Sequence, residues 1–249
     1  MKHHNMHKLL LCAVLLFGGC TSGKDGPDDE ANYYYNGLIT KDLVNHLKTL
    51  PDSPVTLYFA SNGGGADKAL EAANIILEKN VNLVIDGKFG ICASACAELI
   101  VPAAKSVKFI NEPLVGYHQN PQIILHLLGE LAPEDVKYCD FVKSEAQAGE
   151  DFLDKAGLNK DFWKETLKRI EVKSAKAFHY EERCPGLRKE FKHELWFPTS
   201  KQMRSMLKLE FEGELCSDRR ECYEDEIDQR WSVMTGMVVG DEGYFSKGR

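Results

Sequence analysis

The feature that most constrains the fold is a short apolar stretch, Val55–Ala60, that leads directly into a run of glycines. Its sequence, VTLYFA, is rich in β-branched and aromatic residues and predicts a strand buried in a parallel sheet. The break at Ser61–Gly65 ends this strand, and the periodic apolar positions of Ala66–Lys79 predict a helix. A second apolar run follows at Val81–Asp86. This order of elements predicts a right-handed βαβ unit.

The segments around this unit continue the alternation of strands and helices. Tyr33–Tyr35 predicts a strand, and Thr40 is the expected N-cap of a helix over Lys41–Leu50. Further along, the pattern predicts a helix of small residues at Ile91–Ala103, strands at Ser106–Ile110 and Leu114–His118, and helices at Leu131–Gly157 and Lys160–Ile170. We therefore expect residues 32–209 to form an α/β domain with a mainly parallel sheet and a helical C-terminal half. Residues 210–249 form a cysteine-containing extension with weak periodicity.

The N-terminus has the pattern of an export signal. Two lysines precede the apolar run Leu9–Phe17, which is too short to span about 30 Å of hydrocarbon but suits the core of a signal peptide. The sequence FGGC that follows resembles a bacterial lipobox, which implies removal of residues 1–19 and a lipid on Cys20. An ordinary signal peptide with an incidental cysteine is the other interpretation. Residues 20–31 are polar and acidic, as expected of a flexible tether.

The lipobox resemblance also implies a location. By the sorting rules of Gram-negative bacteria, Thr21 in place of aspartate after the cysteine implies an outer-membrane lipoprotein that faces the periplasm. No other stretch reaches the roughly 18 apolar residues of a membrane span, so we expect no second membrane segment. The formal net charge is −7, and nothing in the sequence indicates the clustered basic face that binding to nucleic acid requires. We therefore expect no nucleic-acid partner.

Cysteine usage fits an oxidising compartment. Six cysteines follow Cys20: Cys92, Cys96, Cys139, Cys184, Cys216 and Cys222. An even number in an exported protein predicts disulfides, and Cys216 with Cys222 is the simplest pair. On one helical turn, Cys92 and Cys96 would meet only with distorted geometry, so we expect partners elsewhere for them, such as Cys139 or Cys184. The chain has neither a CxxC pair nor an HExxH motif, and we expect no metal.

Three segments contain residues that suit acyl-transfer chemistry. The first is the turn SNGG, residues 61–64, where glycines expose backbone N–H groups that can hold an oxyanion, although a plain strand-to-helix turn explains the same residues. The second is GICASAC, residues 90–96, which places Ser94 near a helix N-terminus, as a nucleophile or merely as a cap. The third is GYHQNP, residues 116–121, where His118 ends a strand as a general base or a structural hydrogen-bonding group.

The order and spacing of these segments resemble the Clp-type serine peptidases of the Clp-protease/crotonase superfamily. The resemblance is greater to periplasmic relatives that carry a CASAC motif, and it covers about Tyr33–Pro121. It implies a ClpP/crotonase-like βαβ core and oligomers such as trimers, hexamers or stacked rings. The apolar segment Ile123–Leu131 suits a subunit interface or, with greater weight, a buried core helix.

The resemblance also implies a role for each site residue. Ser94 matches the nucleophile and His118 the general base that takes its proton. The backbone N–H groups of Gly64 and Ala95 match the oxyanion hole, with Gly63 shaping the turn.

The third member of the triad is where the pattern departs from the family. The family's acid precedes a stretch that resembles Leu195–Ser200, but the matching position falls near Phe191. Glu194 is the nearest suitable choice, with Glu190 as the other carboxylate close by. An acid that orients the histidine contributes orders of magnitude to the rate, so its absence would leave a Ser-His dyad or an inactive protein.

We therefore expect a cofactor-independent serine hydrolase of the cell envelope that acts on peptides or proteins. The main alternative is an inactive scaffold that binds a peptide or protein partner in the same cleft. Two other hypotheses carry less weight. Crotonase-like acyl-CoA chemistry would need CoA outside the cytoplasm, and a cysteine nucleophile would need a free thiol in an oxidising compartment.

Overall fold

The computed structural model describes residues 31–52, 54–118, 120–131, 139–169, 173–174, 191–192, 195–216 and 244–247. The strands within them are β1 (Ala31–Asn36), β2 (Val55–Ala60), β3 (Asn82–Asp86), β4 (Cys92–Ala93), β5 (Ser106–Ile110), β6 (Val115–Gly116), β7 (Lys173–Ser174), β8 (Phe191–Lys192) and β9 (Tyr244–Lys247). The α-helices are α1 (Lys41–Lys48), α2 (Ala66–Glu78), α3 (Val101–Ala103), α4 (Pro121–Leu131), α5 (Asp140–Lys155), α6 (Phe162–Leu167) and α7 (Ser200–Gln202). Two π-helical segments, Cys96–Ile100 and Met203–Leu207, adjoin α3 and α7.

The central sheet has the strand order β5-β3-β2-β1-β9. Its first four strands are parallel, and β9 pairs antiparallel with β1 at the edge. Leu57 and Phe59 of β2 are fully buried, as expected for a strand with layers on both faces. The expected α/β fold with a mainly parallel sheet is confirmed. β9 comes from the extension of residues 210–249, where the sequence pattern had predicted no element.

The first two helices form as the sequence predicts. The Thr40 hydroxyl accepts a hydrogen bond of 3.3 Å from the Asp42 N–H and so caps α1. α1 ends at Lys48, two residues before the predicted end. α2 turns a face of small residues, including Ala69 and Ala73, toward the core, which lets the helix pack closely.

The predicted helix over Ile91–Ala103 is wrong in its first part. Cys92–Ala93 is instead a strand, β4, which pairs in parallel with β6, and helical structure begins only at Cys96. The reason is tertiary, because the β4 backbone finds partners in two neighbouring segments that a local pattern does not reveal. These contacts form a second, smaller sheet beside the central one.

The helical C-terminal half is also divided differently from the prediction. In place of one helix over Leu131–Gly157, α4 ends at Leu131 and α5 begins at Asp140. Ile123 and Ile124 of α4 are fully buried in a cluster with Val142 of α5. This burial favours the interpretation of the apolar segment as a core helix.

No helix among the described residues is long and apolar enough to cross a membrane. The predicted signal peptide, Cys20 and nearly all of the predicted tether lie outside the described residues.

Candidate active site

The three segments singled out in the sequence lie side by side. The Ser61 N–H donates to the Ile91 carbonyl at 2.8 Å, and the Ala93 N–H donates to the Ser61 carbonyl at 2.9 Å. On the other side of β4, the Cys92 N–H donates to Leu114 at 3.0 Å. The strand that leads to Ser94 therefore lies between the glycine turn and the strand that leads to His118.

Ser94 has a left-handed backbone conformation, with φ of 57°. This conformation costs about 1–2 kcal/mol for a residue other than glycine, so surrounding contacts must hold it. One such contact is the Ser94 N–H, which donates to the Gly116 carbonyl at 2.9 Å. Ser94 thus forms a sharp turn between the strand β4 and the helical segment Cys96–Ile100.

The Ser94 side chain lies against Gly63. A Cβ atom placed on Gly63 would lie 2.6 Å from the Ser94 Cβ and 2.9 Å from its Oγ. Gly63 also has a φ of 103°, which other residues rarely adopt. Two hydrogen bonds hold this turn: Ser61 Oγ accepts from the Gly63 N–H at 3.0 Å, and the Gly63 carbonyl accepts from the Ile39 N–H at 2.8 Å. Only glycine fits this position beside the serine.

Two backbone N–H groups, one in the glycine turn and one directly after Ser94, bear on the predicted oxyanion hole. Within the described part of the chain, the N–H groups of Gly64 and Ala95 donate to no protein acceptor. Ala95 lies directly before the helical segment Cys96–Ile100, where unpaired N–H groups are expected. These are the two donors assigned to the oxyanion hole by resemblance, and that role stays a prediction.

Cys92 and Cys96 are bonded to each other, with Cα atoms 5.3 Å apart. The expectation of partners elsewhere is therefore wrong for this pair. The expectation assumed that both residues lie on one helical turn, whereas the chain is extended at Cys92 and reverses at Ser94. Cys139 and Cys216 are each disulfide-bonded, and Cys184 and Cys222 lie outside the described residues. The disulfide closes a short loop around Ser94.

His118 follows the end of β6, on the strand next to Ser94. The register pairs Ala93 with Gly116, so Ser94 and His118 both lie just beyond the paired ends. The neighbouring Tyr117 pairs with Trp196: the Tyr117 N–H donates to the Trp196 carbonyl at 2.9 Å, and the Trp196 N–H donates to the Tyr117 carbonyl at 2.7 Å. The Nδ1 atom of His118 is buried. The fold thus places both residues at one end of the small sheet, and their catalytic roles stay predictions.

The proposed third member, Glu194, lies outside the described residues. A different carboxylate, which the sequence analysis missed, lies close to His118. Glu98 follows Ser94 by one helical turn, and its N–H donates to the Ser94 carbonyl at 3.0 Å. Glu98 is the only charged residue between Ile91 and Ala104, in an otherwise largely apolar stretch. This isolated charge is the feature of the sequence that could have identified it.

The Glu98 carboxyl is in an unusual environment. Its Oε1 atom is buried and has no hydrogen-bond partner among the described residues, and the same is true of the Tyr117 hydroxyl. Burial raises the pKa of Glu98 to about 8, and the backbone N–H of His118 opposes this rise. Burial, and then the Glu98 charge, raise the pKa of Tyr117 above its usual value. Burial therefore disfavours the charged form of Glu98.

No group of His, Cys, Asp and Glu side chains that could hold a metal ion occurs in the described ranges.

Comparisons with known proteins give a distant likeness. No protein-family model matches the chain, and no curated protein matches it. Among solved structures, the catalytic domain of the ClpP protease from Plasmodium falciparum is similar, with 13% identity and a TM-score of 0.41. The match covers 76% of this chain and 87% of the other.

Proposed function

We propose that the protein is a serine hydrolase of the cell envelope that cleaves peptide bonds, with Ser94 as nucleophile. The main support is the conformation of Ser94, a left-handed turn between a strand and a helical segment that directs the hydroxyl over Gly63. Such strain at a polar residue is typical of functional sites. The nearness of the His118 segment adds a base on the neighbouring strand.

The reaction needs only groups of this chain and water. The Ser94 oxygen bonds to the carbonyl carbon of the substrate as its proton passes to His118. The negative charge that develops on the carbonyl oxygen is stabilised by the N–H groups of Gly64 and Ala95. The C–N bond then breaks, and the amine leaves with the proton from His118. Water, deprotonated by His118, hydrolyses the acyl-enzyme and restores the serine.

The proposal extends the family resemblance to the periplasmic relatives with a CASAC motif. Glu194 is retained as the group that orients His118. The export signal of residues 1–19 and the lipobox that ends at Cys20 support the envelope location. An oligomer, as in the Clp-type peptidases, is part of the same proposal.

Labelling with a fluorophosphonate tests the nucleophile. We expect the full-length protein to be labelled, Ser94→Ala to be unlabelled, and Ser144→Ala, which removes an exposed hydroxyl on α5, to be labelled like wild type. Equal labelling of wild type and Ser94→Ala would refute an activated Ser94 and favour the alternative of a peptide-binding scaffold.

The same labelled protein reports the location when cells are fractionated. We expect it in the membrane fraction for wild type and in the soluble periplasmic fraction for Cys20→Ser, because the lipid is lost. Retention of the variant in the membrane would contradict the proposed anchor and leave the assignment of Ser94 unaffected.

A further inference from the structure

A small pocket lies beside the helical segment Cys96–Ile100, which follows Ser94 in the chain. Glu98 lines it together with three aromatic side chains, Tyr117, Phe162 and Trp163. The volume of the cavity is about 30 Å³, which is room for one or two groups of the size of water. The pocket is therefore suited to the end group of a side chain.

The position of the pocket links it to the proposed reaction. Glu98 is bonded through its N–H to the carbonyl of Ser94, and Tyr117 directly precedes His118. The pocket is therefore about one helical turn from Ser94 along the chain. The pocket thus suits the recognition of one side chain next to the cleaved bond.

The chemistry of the pocket favours a cation. A buried carboxyl oxygen without a hydrogen-bond partner is costly, and a positive charge with several donors would satisfy it. The aromatic rings add a favourable surface for a cation, as in other sites that bind ammonium groups. An apolar side chain would leave the carboxyl oxygen unpaired, whereas a cation is attracted by the carboxylate that forms when Glu98 loses its proton.

One positive charge of the protein also adjoins the pocket, on Lys160. Its Nζ lies 3.1 Å from Asp154 Oδ2, and its side chain is about half exposed, so this charge is paired and partly solvated. The other titratable group that lines the pocket is the Tyr117 hydroxyl, which carries no positive charge. Glu98 is therefore the partner for an incoming cation.

We propose that this pocket binds the ammonium group of a lysine side chain next to the cleaved bond, and that Glu98 determines this specificity. The inference rests on the proposed hydrolase function and names its substrate class. The volume favours an ammonium over the larger guanidinium of arginine. The raised pKa of Glu98 adds a consequence: the carboxyl must lose a proton when the cation binds.

The first test compares two substrates that differ only in the charged group. We expect thioesters of acyl-lysine to be hydrolysed with a kcat/KM roughly 10- to 100-fold above that of the uncharged norleucine analogue, the usual range for a hydrogen bond to a charged group. Glu98→Gln, which has the same shape without the charge, should remove this preference and leave norleucine hydrolysis within about threefold of wild type.

Two results would overturn the assignment. A wild-type enzyme that hydrolyses norleucine as fast as lysine has no cation pocket, and this test needs no variant. A Glu98→Gln enzyme that loses activity equally toward both substrates would show that Glu98 positions His118 instead of selecting the substrate. An unfolded variant would be recognised by its circular dichroism.

A binding measurement separates this inference from the hydrolase proposal. Nα-acetyl-lysine methylamide is titrated calorimetrically into Ser94→Ala and into the double variant with Glu98→Gln. We expect binding that is weakened roughly 10- to 100-fold by the second substitution, and release of close to one proton at pH 7, found from buffers of different ionisation enthalpy. If Ser94 proves unreactive but this binding persists, only the hydrolase proposal fails. Absence of binding to Ser94→Ala would refute the lysine pocket.

Discussion

The central sheet and the small β4–β6 pair are held in different ways. Strands of five or six residues form the parallel part of the sheet, and fully buried side chains such as Leu57 and Ile85 extend from them into the core. The small pair has two residues in each strand, and beyond it come the left-handed Ser94, the close contact with Gly63 and a disulfide. Apolar burial stabilises the sheet, whereas a few specific contacts hold the candidate active site.

This contrast implies that stability and reactivity can be altered separately. Removing apolar volume from the sheet should lower the free energy of unfolding without moving the hydroxyl of Ser94. Disturbing a contact around Ser94 should alter reactivity first. Three changes test this separation.

The largest effect is expected from Leu57→Ala in the centre of β2. Leu57 is fully buried and lies opposite Tyr33 of β1 and Leu83 of β3, so truncation leaves a cavity. We expect the free energy of unfolding in urea to fall by about 2–5 kcal/mol. The fluorophosphonate labelling rate of the folded protein should stay within twofold of wild type.

The exposed Lys108→Ala on β5 is the control for this change, with an expected effect below about 0.5 kcal/mol. If the labelling rate of Leu57→Ala falls together with its free energy of unfolding, then the stability of the sheet and the reactivity of Ser94 cannot be altered separately.

An intermediate effect on stability and a larger one on reactivity are expected from Gly63→Ala. The added Cβ would overlap the Ser94 side chain, and alanine is strained at a φ of 103°. We expect a loss of about 1–3 kcal/mol in stability and of roughly 100-fold in the labelling rate, because the turn and its oxyanion donor shift.

Gly129→Ala provides a matched control, since Gly129 lies on α4 with nothing within 4 Å of an added Cβ. This control should label normally and be no less stable than wild type. Normal labelling of Gly63→Ala would mean that the oxyanion donors lie elsewhere.

The same contrast explains what the sequence could predict. β2, α2 and β5 were predictable because their apolar periodicity is local and agrees with their burial. The strand at Cys92–Ala93 was not, because its partners, Ser61 and Leu114, are distant in the chain. Within the site, the residue types and spacing of Ser94, Gly63 and His118 were enough to predict these positions as candidates from the sequence.

Other features of the site are set by tertiary contacts. The pairing of Cys92 with Cys96 depends on a chain reversal that helical spacing conceals. The environment of Glu98 depends on α6 and on the Tyr117 segment, which close around it from other parts of the chain. Local patterns carry no record of such packing, so these features could be found only in three dimensions.

The smallest effect on stability is expected from removing the disulfide around Ser94, by Cys92→Ala with Cys96→Ala. The loop that it closes is short, so the loss of chain-entropy stabilisation is at most about 2 kcal/mol. The effect on reactivity should be larger in proportion, because the bond joins the strand before Ser94 to the helical segment after it and restricts its backbone. We expect the labelling rate of the folded double variant to fall at least fivefold, a barrier increase of about 1 kcal/mol. If the double variant loses stability and yet labels at the wild-type rate, then hydrogen bonds such as the one from Ser94 to Gly116 suffice to hold the turn. The active site would then be stabilised like the rest of the fold, and the contrast between the two regions would disappear.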